Sequence, residues 1–155
     1  METLIFPAKR LRAKVIAEYL SGLHQARCVC LTCGNAAEAL REEGLEVCEV
    51  GPKAALQATR WIRPEEVAAW WPGLFDATSG HLPVWLMLRI ANRFREHLGD
   101  LSESKYAIPT GSGETLVCLA MAYPDVRFVA LYGDDPATKY EVAAPLNVLV
   151  ARLAE

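Results

Sequence analysis

From residue 9 to 23, KRLRAKVIAEYLSGL, apolar positions Leu11, Val15, Ile16, Tyr19 and Leu20 recur at three- and four-residue spacing with charges between them. This spacing predicts a helix that stops at Gly22. RCVCLTC (27–33) is a short apolar run that reads as a strand. It leads through Gly34 and Asn35 into the helix formers AAEALREE, closed by Gly44, after which LEVCEV alternates as a second strand up to Gly51-Pro52. Pro64, Glu65 and Glu66 open a short helix that runs to Trp71, where Pro72-Gly73 ends it. In LPVWLMLRIANRFREHLG (82–99), Leu86, Ile90, Phe94 and Leu98 make one stripe of a longer helix. KYAIP, ETLVCLAMAY and VRFVALYG then read as strand, helix and strand, a second unit like the first. The tail APLNVLVARLA is read as a helix, with an edge strand as the alternative.

Crossover helices force the strands they join to run parallel and cover the faces of the sheet. The expectation is therefore a single α/β domain over residues 1–155, with one mostly parallel sheet of four or five strands and flanking helices. The length suffices for a real core without a disulfide or metal staple. Hydrophobic residues make up 52% of the chain and the net charge is −3, which excludes a disordered composition and a basic nucleic-acid surface. The N-terminal apolar run is very short and precedes its basic residues, the reverse of a secretory signal. No stretch reaches the roughly 18 apolar residues of a membrane span, so a soluble cytoplasmic protein is expected. Five cysteines, an odd number scattered through apolar segments, point to buried reduced thiols rather than a disulfide framework.

Two turns carry candidate chemistry. In IPTGSGET (108–115), Gly111 and Gly113 permit positive φ and close approach of a ligand, and successive N–H groups ahead of the helix near Glu114 form an anion-binding concavity. Thr110, Ser112 and Thr115 add hydroxyl donors. The bland alternative is a tight strand-to-helix turn with Ser112 as N-cap. A carboxylate at Glu114 suits the helix dipole but competes with a phosphate for the same N–H groups unless it points outward. The turn lacks the lysine ending of a P-loop, so triphosphate hydrolysis is not expected. LTCGNAAEAL (31–40) repeats the form with Thr32, Gly34 and Asn35, where Asn35 is either a plain helix cap or a ligand contact. In one parallel sheet the two turns would line one crevice at the carboxyl ends of the strands.

At these residues the chain resembles the fold-type II pyridoxal-phosphate enzymes, the group of the tryptophan synthase β subunit, threonine and serine dehydratases and cysteine synthase. PTGSGET with its following helix and strand is similar to the family's TGSGGT-like loop, which cradles the cofactor phosphate. TCGNAAEALREEGLEV is similar to its serine/threonine, glycine, asparagine turn, which meets the cofactor ring and the substrate carboxylate. FPAKRLRAK resembles the SFKxR-like segment of the Schiff-base lysine and makes Lys9 the candidate catalytic residue. The resemblance implies Thr32, Gly34, Asn35, Thr110, Gly111, Ser112, Gly113 and Thr115 as cofactor-binding residues and pyridoxal phosphate as the cofactor. Glu114 stands where the family has glycine. Lys9 lies among Arg10, Arg12 and Lys14, which alternatively form a solvated basic face.

Other readings stay open. Cys30-x-x-Cys33 at a strand end suggests thiol redox chemistry, although alternating cysteines in a buried strand usually act as small hydrophobes. Cys28, Cys30 and Cys33 lack the second hook of a structural zinc site, so no metal is expected. His81, in DATSGHLP, is a weak candidate at the mouth of a site. Trp70 and Trp71 are a candidate surface for self-association, or core. Asp134 and Asp135 read as a turn. The expected function is a small-ligand or anion-binding domain, a reduced, non-catalytic relative of the fold-type II group, with a small anionic ligand as partner and neither nucleic acid nor membrane. An active pyridoxal-phosphate enzyme using Lys9 and an interaction or assembly protein with purely structural turns are the alternatives.

Overall fold

A computed structural model describes residues 2–30, 35–49, 69, 71–110, 113–132 and 139–142. Its elements are β1 (Glu2–Thr3), α1 (Ala8–Gly22), β2 (Arg27–Cys30), α2 (Asn35–Glu42), β3 (Glu46–Glu49), β4 (Phe75–Asp76), α3 (Val84–Leu98), β5 (Lys105–Thr110), α4 (Glu114–Ala122), β6 (Arg127–Tyr132) and β7 (Lys139–Val142). The expected α/β architecture of helices and mostly parallel strands is present. The strands divide between two sheets, one of four and one of three, rather than forming one sheet of four or five. The chain correspondingly forms two compact units, Lys9–Leu86 and Met1–Ala8 with Met87–Glu155.

In the unit Lys9–Leu86 the sheet order is β3-β2-β4, with both pairings parallel. β2 is the central strand. Cys28, Val29 and Cys30 are fully buried, as a strand covered on both faces requires. α1 buries Leu11, Val15, Ile16 and Leu20, the stripe its spacing predicts. Tyr19 extends that stripe, with its ring edge-on to Phe75 and Trp85 at 5.5 and 5.0 Å between centroids.

α1 and α2 end in the same hydrogen-bonded cap built from different residues. The N–H of Gln25 donates to Leu20 O and that of His24 to Ser21 O; likewise Leu45 donates to Leu40 O and Gly44 to Arg41 O. The left-handed position is filled by Gly44 (φ 88) in one cap and by His24 (φ 56) in the other.

The other unit carries the order β1-β5-β6-β7, parallel in its first three strands and antiparallel at β7. β5 and β6 stay in register from Lys105↔Arg127 to Thr110↔Tyr132, joined through α4. Leu116, Val117, Cys118, Leu119 and Ala120 are all buried, as a helix apolar on every side must be. α3 supplies Ile90 and Phe94 to the core, and Phe6 packs edge-on against Phe94 at 4.9 Å. Arg95 closes the ends of α3 and α4: it lies 4.7 Å over the Tyr123 ring and donates to Ala122 O at 2.8 Å, while the Tyr123 hydroxyl donates to Gly99 O.

Three strands escape the periodicity. β1 and β4 are two residues each, and β7 (Lys139–Val142) falls on a stretch for which no strand was expected. The short helix expected from Pro64, the Asp134-Asp135 turn and the tail helix lie outside the described residues.

The paired caps give a stability test. His24→Gly removes the cost of a side chain in the left-handed region and should stabilise the protein by about 0.5–1 kcal/mol in chemical denaturation. Gly44→Ala, whose Cβ would meet nothing within 4 Å, should cost about 1 kcal/mol through backbone strain alone.

Candidate functional site

β5 delivers the chain to the first turn. Thr110 is its last residue and Glu114 the first of α4; Gly111 and Ser112 lie outside the described residues. Gly113 is the helix N-cap, at φ 90 and ψ −2, and no side chain caps the helix. The alternative of a turn with Ser112 as N-cap is thereby corrected: the left-handed cap conformation selects glycine, which has no side chain to offer. Glu114 does not point out to solvent, being 2% exposed. Thr115 is half-buried.

The second turn leaves β2 from Cys30, and α2 begins at Asn35 itself. Thr32, Gly34 and the Asn35 side chain lie outside the described residues. β2 belongs to the three-stranded sheet and β5 to the four-stranded one, so the two glycine turns do not share a crevice within one sheet. β5 and β6 do run parallel, as the reading of each turn requires.

The three-stranded sheet has its own crevice geometry. The chain passes from β2 to β3 on one side and returns to β4 on the other, so strand order reverses between β2 and β4. Ligands settle outside the carboxyl ends of strands at such a point. β4 ends there at Asp76, opposite Val29. The Asp76 carboxylate accepts the Thr78 N–H at 2.9 Å through Oδ1 and meets Nδ1 of His81 at 2.9 Å through Oδ2. The His81 and Asp76 side chains are 9% and 15% exposed. Arg12, 5% exposed, reaches from α1 to donate from Nη2 to Ala77 O at 2.7 Å, and the Cys30 thiol points to the same carbonyl at 3.8 Å.

Arg12, Asp76 and Thr78 were not singled out in the sequence. The Asp-to-His spacing in DATSGH, directly after an apolar pair, was the available signal. Lys9, the second residue of α1, is exposed. Trp71 is half-buried, and Trp70 lies outside the described residues.

Cys28, Cys30, Cys48 and Cys118 are free thiols, and Cys33 lies outside the described residues. Burial pushes Cys30 up to about 12 against the pull of Arg12, and Cys28 up to about 11 with Cys48 adding to the rise. A buried thiol held protonated is a poor nucleophile, which counts against redox chemistry at Cys30. Among the described residues no group of three or more His, Cys, Asp or Glu side chains is placed to hold a metal ion, and no helix is long and apolar enough to cross a membrane. No family model matches the chain, and no curated protein matches it significantly.

The two raised thiols set a pH dependence. Their folded pKa values lie above the ordinary 9.0, so their stabilisation is complete below pH 9 and is lost as pH rises toward 11 and 12, while only the unfolded chain releases protons. Stability should fall by about 1.4 kcal/mol per pH unit for each thiol above pH 9. Denaturation midpoints of wild type and a Cys28→Ala, Cys30→Ala variant between pH 8 and 10.5 test this. The variant should be flatter, with a residual fall from Tyr123, which burial also raises.

Proposed function

We propose that this chain is a small-ligand or anion-binding α/β protein, a reduced and non-catalytic relative of the fold-type II pyridoxal-phosphate enzymes, with the β5–α4 turn as its anion site. One observation carries the reading: α4 starts on a left-handed Gly113 with no side-chain cap, at the carboxyl end of a parallel strand. The first N–H groups of a helix have no intrahelical acceptor and sit at the positive end of its dipole, where an oxyanion is favoured. The glycine leaves room for close approach to the backbone. The β2–α2 turn, the second turn of the family resemblance, also leads from a parallel strand into a helix.

The catalytic half of the resemblance fits less well. A Schiff-base lysine reacts as the free amine, a form reached by desolvation or a neighbouring cation. Lys9 is exposed, and only adjacent cations in the sequence serve that end. Glu114, where the family has glycine, is a buried carboxylate in the first turn of α4. The described residues therefore do not fit pyridoxal phosphate as a resident cofactor, and this chain's chemistry at the turn is binding. Its ligand is a small anion.

Affinity for free phosphate should be modest, about millimolar or roughly 4 kcal/mol, because the anion exchanges good hydration for a few charge-assisted bonds and meets Glu114. Phosphate titration followed by amide NMR should move the signals of residues 111–115. Glu114→Gly should tighten binding. Gly113→Val should abolish it through a restricted φ, with β5 and β6 amide dispersion reporting that the fold persists. Unmoved amides at tens of millimolar phosphate in wild type and Glu114→Gly alike would leave the turn structural and favour an assembly protein. A Schiff-base absorbance band with added pyridoxal phosphate, lost in Lys9→Ala, would instead restore the enzyme reading.

A further inference from the structure

His81 carries a nitrogen that the fold leaves open. Its Nδ1 is held by Asp76, its backbone N–H donates to Thr78 O at 3.0 Å, and among the described residues nothing bonds its Nε2. The side chain is nevertheless more than nine-tenths buried. Buried polar atoms are almost always paired, and an exception needs a reason. A carboxylate on Nδ1 fixes the neutral tautomer with its proton on Nδ1, which leaves Nε2 an acceptor. A group that satisfies this atom must bring its own proton.

The surroundings favour an anion as the bearer of that proton. His81 follows β4 at the reversal of strand order, on the chain that leads from β4 into α3. The charge of Asp76 is already engaged by Thr78 N–H and His81, and the buried guanidinium of Arg12 stands on the carbonyl next to it. We propose that the carboxyl ends of β2 and β4 form a second binding site, independent of the β5–α4 turn, that takes an oxyanion still carrying an O–H, with His81 Nε2 as the acceptor of that proton and Asp76 as the positioning residue. Hydrogen phosphate has this chemistry. The charged and titratable groups that act on one another here are Arg12 on α1, Arg41 on α2, Cys28 and Cys30 on β2, Cys48 and Glu49 on β3, and Asp76 at the end of β4.

In mildly alkaline buffer, hydrogen phosphate, sulfate and the methyl phosphate dianion share charge and similar shape, but only the first retains an O–H. The test follows the imidazole nitrogens of His81 by long-range proton–nitrogen NMR, at a pH where their own shifts report the neutral ring. Wild type should show the proton on Nδ1. Nε2 should move on titration with hydrogen phosphate, with affinity roughly tenfold above that for sulfate or methyl phosphate. Asp76→Asn can donate to Nδ1 and so send the ring proton to Nε2; it should erase the preference, since the unprotonated oxygens of all three anions accept from Nε2–H. A merely structural Asp76 would leave the wild-type selectivity in place. His81→Phe should bind none of the three at this site, with its folded state checked by the β2 and β3 amides. Equal responses to all three anions, no response, or a ring proton on Nε2 in wild type would each overturn the proposal. The readout at His81 is separate from the amides of 111–115, so either site can fail alone.

Discussion

A guanidinium can be buried only if its donors find acceptors, because the unpaired charge would cost several kcal/mol. Arg12 places one of its donors on the carbonyl of Ala77, and the placement of β4 in the unit Lys9–Leu86 follows from it. Ala77 is the residue after β4, and its N–H donates to Val29 O at 2.8 Å, extending the pairing of a strand only two residues long. A two-residue strand has little pairing energy of its own. The bond from α1 adds a tether from outside the sheet, and the same carbonyl receives the Cys30 thiol. With the chain fixed at Ala77, the side chains on either side of it are fixed too: Asp76 turns its carboxylate back over Thr78 and His81, and the loop closes on itself before α3 begins.

That tether explains what periodicity could and could not reveal. Helices of eight or more residues repeat their apolar spacing often enough to be read, and α1, α2, α3 and α4 all fall on the expected stretches. β2, β3, β5 and β6 also announce themselves, through apolar runs bounded by glycine or by polar turns. β1 and β4 are too short to show a period of two, and β7 follows polar residues that read equally well as a turn. The division into two sheets is beyond any local pattern. It depends on which strands pair, and the pairing of Glu2 with Tyr106 joins residues about a hundred positions apart.

The candidate sites were legible to different degrees for the same reason. Glycine turns between strand and helix are contiguous in sequence, so the stretch around Gly113 and that around Asn35 stand out at once. What contiguity hides is burial. Glu114 looks like an ordinary acidic residue in a first helical turn, and only the fold places it out of solvent. Arg12 looks like one of four cations on a basic helix face, yet it alone of Lys9, Arg10, Arg12 and Lys14 turns inward. The dyad at Asp76 and His81 requires a loop conformation that five residues of polar sequence do not disclose.

The two sheets also differ in what their order permits. In β1-β5-β6-β7 the chain progresses in one direction across the sheet, so the β5–α4 turn owes any binding to its own backbone, the N-terminus of α4 and a glycine without a Cβ. In β3-β2-β4 the direction reverses at β2: the chain leaves β2 for one neighbour and comes back to the other. There, the selectivity of a ligand site comes from side chains brought together by long-range pairing. A backbone site of the first kind accepts most small oxyanions, since N–H groups read charge and little else. A side-chain site of the second kind can tell apart ligands of equal charge, because an imidazole whose Nδ1–H is held by a carboxylate accepts a hydrogen bond at Nε2 and donates none there.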